Sequence, residues 1–158
     1  MTHRLTRRIY WIAGCLFTTL MFGCSSDGVE PPPPVKFYIN PSLETNNSRM
    51  VYLIVRGVKE KDFLDQTYNF IAGKAFPTTD DPTLLGVYPV YPGETQIVKL
   101  TTPAKDDMGI YLMFTQPGKS WKSFVERPFE DSYTIELPSD NTVTIGPEPG
   151  FFDRLFHY

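Results

Sequence analysis

Thiols and imidazoles are almost missing from this sequence. It has two cysteines, Cys15 and Cys24, and two histidines, His3 and His157. Three of these four fall within the first 24 residues, so the rest of the chain keeps His157 alone. That scarcity excludes Ser-His-Asp and Cys-His catalytic sets, and any zinc site built on several His or Cys ligands. A glycine-rich phosphate loop and a dinucleotide fingerprint are also lacking. Lys119-Ser120 follows Gly118 but has no glycine at the required earlier spacing. Basic residues are outnumbered, 15 against 18 acidic. Nucleic acid and anionic lipid surfaces are therefore poor partners. No cofactor is implied, and no acid-base or nucleophile set marks an enzyme. An apolar run of membrane-spanning length is missing too. The longest, Ile9 to Gly23, has 15 residues. At ~1.5 Å per residue it falls short of a ~30 Å hydrocarbon core.

What is present begins at the N-terminus. Arg4, Arg7 and Arg8 precede that short apolar run, and Cys24 follows at once. A charged head, an apolar middle and a small residue before the cut describe a secretory signal peptide. The cysteine directly after it resembles the lipidated first residue of mature bacterial lipoproteins. Ile12-Ala13-Gly14-Cys15 matches a lipoprotein cleavage box better than Met21-Phe22-Gly23-Cys24 does, the latter having Phe22 where a smaller residue is usual. A cut before Cys15, however, leaves an apolar region shorter than the ~7–15 residues such leaders use. It also strands Leu16–Phe22 in the mature protein. Cys24 is the expected lipidation site.

Single acyl chains bind membranes marginally, and stable anchoring takes more than one. Bacterial lipoproteins carry three. Ser25, where the class uses Asp to retain a protein in the inner membrane, directs this chain to the outer membrane, facing the periplasm. The mature protein, Cys24 to Tyr158, has 135 residues with 12 basic against 18 acidic side chains. With Cys15 removed and Cys24 acylated, a disulfide within the domain is excluded. Four segments follow: a leader at 1–23, a lipidated and proline-rich tether at 24–34, a β-sandwich at 35–146 and an aromatic tail at 147–158. Pro31–Pro34 gives the tether an extended polyproline form.

Period-2 patterning dominates the domain. Val35, Phe37 and Ile39 share one face, as do Val51, Leu53 and Val55. Ile110, Leu112 and Phe114 form another such set, then Tyr133, Ile135 and Leu137, then Val143 and Ile145. Weaker strands read at Leu85–Tyr91, Thr95–Leu100 and Ser120–Glu126. Pro92-Gly93 and Pro117-Gly118 suit type II turns, with glycine taking the positive φ. Ser139-Asp140-Asn141 separates the last two strands. Lys61–Ile71 breaks the pattern, with Phe63, Thr67 and Phe70 at helical spacing, and predicts one short helix. Eight strands with one helix in about 110 residues point to a two-sheet β-sandwich.

Other features carry little chemistry. Asp80-Asp81 and Asp106-Asp107 read as solvated charges in loops. A calcium site on Asp80 and Asp81 lacks the spacing of any dedicated loop. Asn46-Asn47-Ser48 fits a glycosylation sequon that a bacterial leader makes idle. Trp121 reads as a core side chain. The tail residues Phe151, Phe152, Leu155, Phe156 and Tyr158 need cover, from the sandwich or from a partner.

The order of these features resembles the outer-membrane lipoprotein of type VI secretion systems, the TssJ family. The likeness begins at Phe37-Tyr38-Ile39-Asn40-Pro41 and continues through Arg49–Val55. It takes in the helix with Asp62-Phe63 and Tyr68, the Pro92-Gly93-Glu94 hairpin, Gly109–Phe114 and Ser120-Trp121-Lys122. The resemblance implies a transthyretin-like sandwich of about eight strands with an extra helix. It implies docking onto the periplasmic part of the inner-membrane protein TssM through the first inter-strand loop. Here that loop is Asn40, Pro41, Ser42, Leu43, Glu44, Thr45, Asn46, Asn47, Ser48 and Arg49. Leu43 is the favoured apolar contact, with Glu44, Asn46, Asn47 and Arg49 as a polar rim. The alternative is a periplasmic lipoprotein that binds a small ligand or sugar in a pocket around Trp121 and Tyr111.

Overall fold

The computed structural model describes residues 34–76 and 80–147. The leader, Cys24, Ser25 and the aromatic tail lie outside the described residues. Eight strands alternate with turns and two short helices: β1 (Pro34–Pro41), β2 (Val51–Val58), α1 (Glu60–Asp65), α2 (Tyr68–Ala72), β3 (Leu84–Val90), β4 (Gln96–Thr101), β5 (Asp107–Met113), β6 (Lys122–Val125), β7 (Ser132–Leu137) and β8 (Thr144–Pro147). They form two four-stranded sheets, ordered β4-β1-β7-β8 and β3-β2-β5-β6. The expected two-sheet sandwich is the fold. The β1–β7 pair is parallel, and the other neighbours are antiparallel.

Alternation along the strands builds the core. Phe37, Ile39, Leu53, Val55, Ile110, Leu112 and Ile135 point between the sheets and are fully buried. Each such side chain contributes about 1.5–3 kcal/mol by leaving water. Phe37 stacks on Tyr133 at 5.6 Å across the parallel pair.

The β3-β2-β5-β6 sheet has a second buried face. Ile54, Val58 and Tyr111 pack there against Phe63, Ile71 and Ala75. This cover explains why β2 is buried along almost its whole length. It comes from two helices where the sequence predicts one. Gln66 and Thr67 are extended, with φ/ψ of −73°/122° and −88°/158°. Long-range bonds hold that break. The Tyr111 hydroxyl donates to Gln66 Oε1. Lys122 Nζ donates to the carbonyls of Phe63 at 2.6 Å and Gln66 at 3.0 Å, where a helix C-terminus welcomes a cation. The expected stripe changes accordingly: Phe63 and Ile71 are buried, whereas Phe70 is half exposed.

Turn chemistry is borne out at Gly93 and corrected at Gly118. Gly93 has φ +76°, as a type II turn requires. The expected hairpin around it, however, joins strands of different sheets, so Pro92-Gly93 is a corner between layers. Gly118 has no positive φ. Its need is space, because a Cβ there would come within 2.7 Å of the Asn141 carbonyl oxygen.

Candidate partner-binding surface

The β1–β2 loop closes one end of the sandwich. Asn46, Asn47 and Ser48 have φ of 53°, 56° and 59°, three left-handed residues in a row. Asparagine is the non-glycine residue that most readily adopts this geometry. The turn is closed by Asn47 N to Glu44 O and Ser48 N to Thr45 O, each at 3.0 Å.

The ten expected site residues divide into three groups, with Asn40 and Ser42 half-buried between an inner and an outer set. Pro41, Thr45 and Asn46 are buried, the last at 1% exposure, so Asn46 does not belong to a polar rim. Its side chain points inward and is a fastening. Asn46 Oδ1 accepts from Thr115 N at 2.7 Å, and Nδ2 donates to Met50 O at 3.1 Å. Asn46 N donates to Asn141 Oδ1 at 2.7 Å, and Asn141 Nδ2 donates to Gln116 O at 3.1 Å. Ser42 N donates to Leu137 O, and Asn40 Nδ2 to Glu136 Oε1. The loop is thus tied to the β5–β6 and β7–β8 connections.

Leu43, Glu44, Asn47, Ser48 and Arg49 face outward. Leu43 is 73% exposed, an unusual position for a leucine held in fixed geometry. It lies over Gly93, where any Cβ would overlap Leu43 Cδ1, and Gly93 N donates to Pro41 O at 3.2 Å. Met50 and Tyr91 extend the apolar surface, at 38% and 46% exposure. Sequence reasoning missed both. Their place follows from register, since Val51 pairs with Val90 and so sets Met50 beside Tyr91.

The pocket expected around Trp121 and Tyr111 is filled. Tyr111 is fully buried, and Trp121 packs on it and on Tyr68, with ring centroids 6.1 and 5.0 Å apart. Burial pushes the Tyr111 phenol well above its ordinary range. Burial also lowers the Lys122 ammonium pKa, against a smaller opposing effect from Asp65.

Asp81 is not the solvated charge its sequence context suggests. Thr83 Oγ1 donates to its Oδ1 at 2.6 Å, Lys74 Nζ reaches Oδ2 at 2.9 Å and Arg56 Nη2 at 3.3 Å. The Thr83 hydroxyl first, then Lys74, hold the carboxyl well below its ordinary 3.8. Among the described residues no cluster of acidic or His/Cys side chains could hold a metal ion.

A family model, the N-terminal domain of IglE, matches residues 52–137, more than half of the chain. The chain belongs to the IglE N-terminal domain family. The matched span runs from β2 through β7 and so includes the β3-β2-β5-β6 sheet, the helical cover and strands β4 and β7 of the other sheet. No curated protein sequence matches. Among solved structures, the type VI secretion lipoprotein TssJ1 from Pseudomonas aeruginosa has a TM-score of 0.59 at 15% identity, covering 76% of this chain and 99% of that one. Lip from Serratia marcescens, described as a membrane-bound component of the type VI secretion system, has a TM-score of 0.59 at 13% identity, covering 74% and 99%. A chain of a type VI membrane complex has a TM-score of 0.57 at 18% identity, covering 73% and 99%. The TssJ-like resemblance in the sequence is borne out, and this IglE-family domain shares the TssJ sandwich.

Proposed function

We propose that this IglE-family chain is an outer-membrane lipoprotein of a type VI secretion system. It holds the periplasmic part of an inner-membrane partner of the TssM kind. Cys24 carries the acyl chains, Ser25 directs the protein to the outer membrane, and the proline-rich tether sets the stand-off. The loop at Asn40–Arg49 selects the partner. The observation that carries this reading is the exposed Leu43 on a loop whose backbone is locked by Asn46. An apolar side chain carried on a fixed backbone adds little loop-ordering entropy to the cost of binding, which favours a contact surface. The fold shared with one protein described as a type VI secretion lipoprotein and another described as a membrane-bound component of that system supports the same reading. Among the described residues no helix is long and apolar enough to cross a membrane.

Two variants of the full chain test it. Cys24→Ser is expected to leave the envelope membranes and appear in the soluble fraction. Loop variants are expected to keep membrane attachment and lose co-purification with the inner-membrane partner. A Cys24→Ser protein that still fractionates with membranes on its own contradicts the reading.

A further inference from the structure

A cavity of about 560 Å³ opens beside the C-terminal end of β2, against the helices and the β4–β5 connection. Its size lies within the ~300–1,000 Å³ of ligand pockets. It shares no residue with the loop surface at the other site.

Two features of its wall point to a ligand. Arg56 is the first. It is 6% exposed, and its Nη2 is taken by Thr83 at 2.6 Å and by Asp81. Its Nε and Nη1 are buried without a hydrogen-bond partner. Buried donors in folded proteins are nearly always satisfied, because an orphan carries its full desolvation penalty. The guanidinium lies between Thr83 and the half-exposed Phe70, whose ring centroid is 5.8 Å from Cζ, and both residues line the cavity.

The second set is acidic. Asp62, Asp65 and Asp106 line the same cavity, with Lys59 as the cation on that rim. The ion pairs among the described residues, Arg56–Asp81 and Lys74–Asp81, use none of the three, although the charge of Asp65 also acts on Lys122. An anionic ligand would meet this excess of carboxylates and be repelled. A metal ion finds no ligand cluster here. The matching ligand joins a cation to a neutral acceptor through an apolar stem.

We propose that this cavity is a second binding site, which takes a basic segment of a partner protein. The stem of an arginine or lysine crosses Phe70 and Val58. Its charge meets Asp62, Asp65 and Asp106, and a neighbouring backbone carbonyl accepts from Arg56. The site stands apart from the loop reading above and does not depend on it.

The test uses the full chain, ¹⁵N-labelled and held in detergent, titrated with acetyl-Gly-Arg-Gly-amide. Saturable amide shifts are expected at Gly57 and Asp106 and not at Asn47. The doubly substituted Asp62→Asn/Asp106→Asn is expected to bind roughly tenfold more weakly, as two partly exposed ion pairs would allow. Both carboxylates lie outside the core, so this variant tests the site even if substitution of Arg56 prevents folding. Leu43→Asp is expected to leave peptide binding unchanged, which separates this site from the loop. No saturable shift at Gly57 and Asp106, equal binding by the double variant, or equal binding of a glutamate peptide would overturn the proposal.

Discussion

The backbone N–H of Asn46 donates to Asn141 Oδ1 at 2.7 Å, joining two turns that lie 95 residues apart. Both residues have left-handed backbones, with φ of 53° and 58°. The Asn141 side chain braces the Asn46 turn, the Asn46 side chain ties that turn to Met50 and Thr115, and the outward face of the β1–β2 loop inherits its rigidity from these bonds.

Asn46→Ala should therefore cost far more than its position in a loop suggests. It leaves the Thr115 N–H without an acceptor and puts alanine at positive φ, together about 2–4 kcal/mol. Asn47→Ala keeps the buried bonds and should cost only the φ penalty, ~1–2 kcal/mol. Urea denaturation of the two variants checks the difference. Equal losses would mean that the inward bonds of Asn46 contribute nothing.

Lys122 controls the helical cover. Its ammonium binds the carbonyls of Phe63 and Gln66 and sits 4.6 Å from the Phe63 ring centroid. Lys122→Met retains the apolar stem and removes those bonds, at about 1–3 kcal/mol. Amide hydrogen exchange should accelerate across Glu60–Asp65 and Tyr68–Ala72 and stay slow in β1 and β7. Unchanged protection of the helices would refute the capping role.

Acid should weaken the fold through Asp81. Its folded pKa is depressed, so the linked stability is fully present above the ordinary carboxylate value of 3.8. It is lost as pH falls below that value toward the depressed one. Asp81→Asn should be less stable at pH 6 and should show a flatter decline in stability below pH 4. Chemical denaturation across that range measures both slopes, and parallel slopes would contradict the assignment.

Gly93→Ala should distort the corner between the sheets. Alanine at φ +76° is strained, and its Cβ overlaps Leu43 Cδ1. A loss of at least about 1 kcal/mol is expected, with changed chemical shifts at Leu43. A variant as stable as the parent would show that Leu43 is not seated there.

The strands were legible because half-buried sheets alternate. Phe37, Ile39, Leu53 and Ile135 carry that signal in their own sequence. The break between the helices was not, because it rests on Tyr111 and Lys122, which lie over 40 residues away. Pro92-Gly93 announced its turn type, but a turn does not reveal which sheets its flanking strands join. Asn46-Asn47 held a signal that a sequon reading overlooked: paired asparagines mark left-handed backbone. Asp81 looked solvated for the reason that misled the helix reading. Its partners Arg56 and Lys74 come from separate elements, and local composition does not show them. Met50 and Tyr91 became part of the candidate surface only through strand register.

Leu43, on its locked loop, is proposed as the contact through which this IglE-family chain holds an inner-membrane partner. Calorimetric titration of the full chain in detergent with the periplasmic part of the TssM-like protein from the same cell tests it most directly. Leu43→Asp should fold like the parent and bind at least roughly tenfold more weakly, as loss of a central apolar anchor requires. Parent and variant binding the partner with equal affinity, or neither binding at all, would contradict the account.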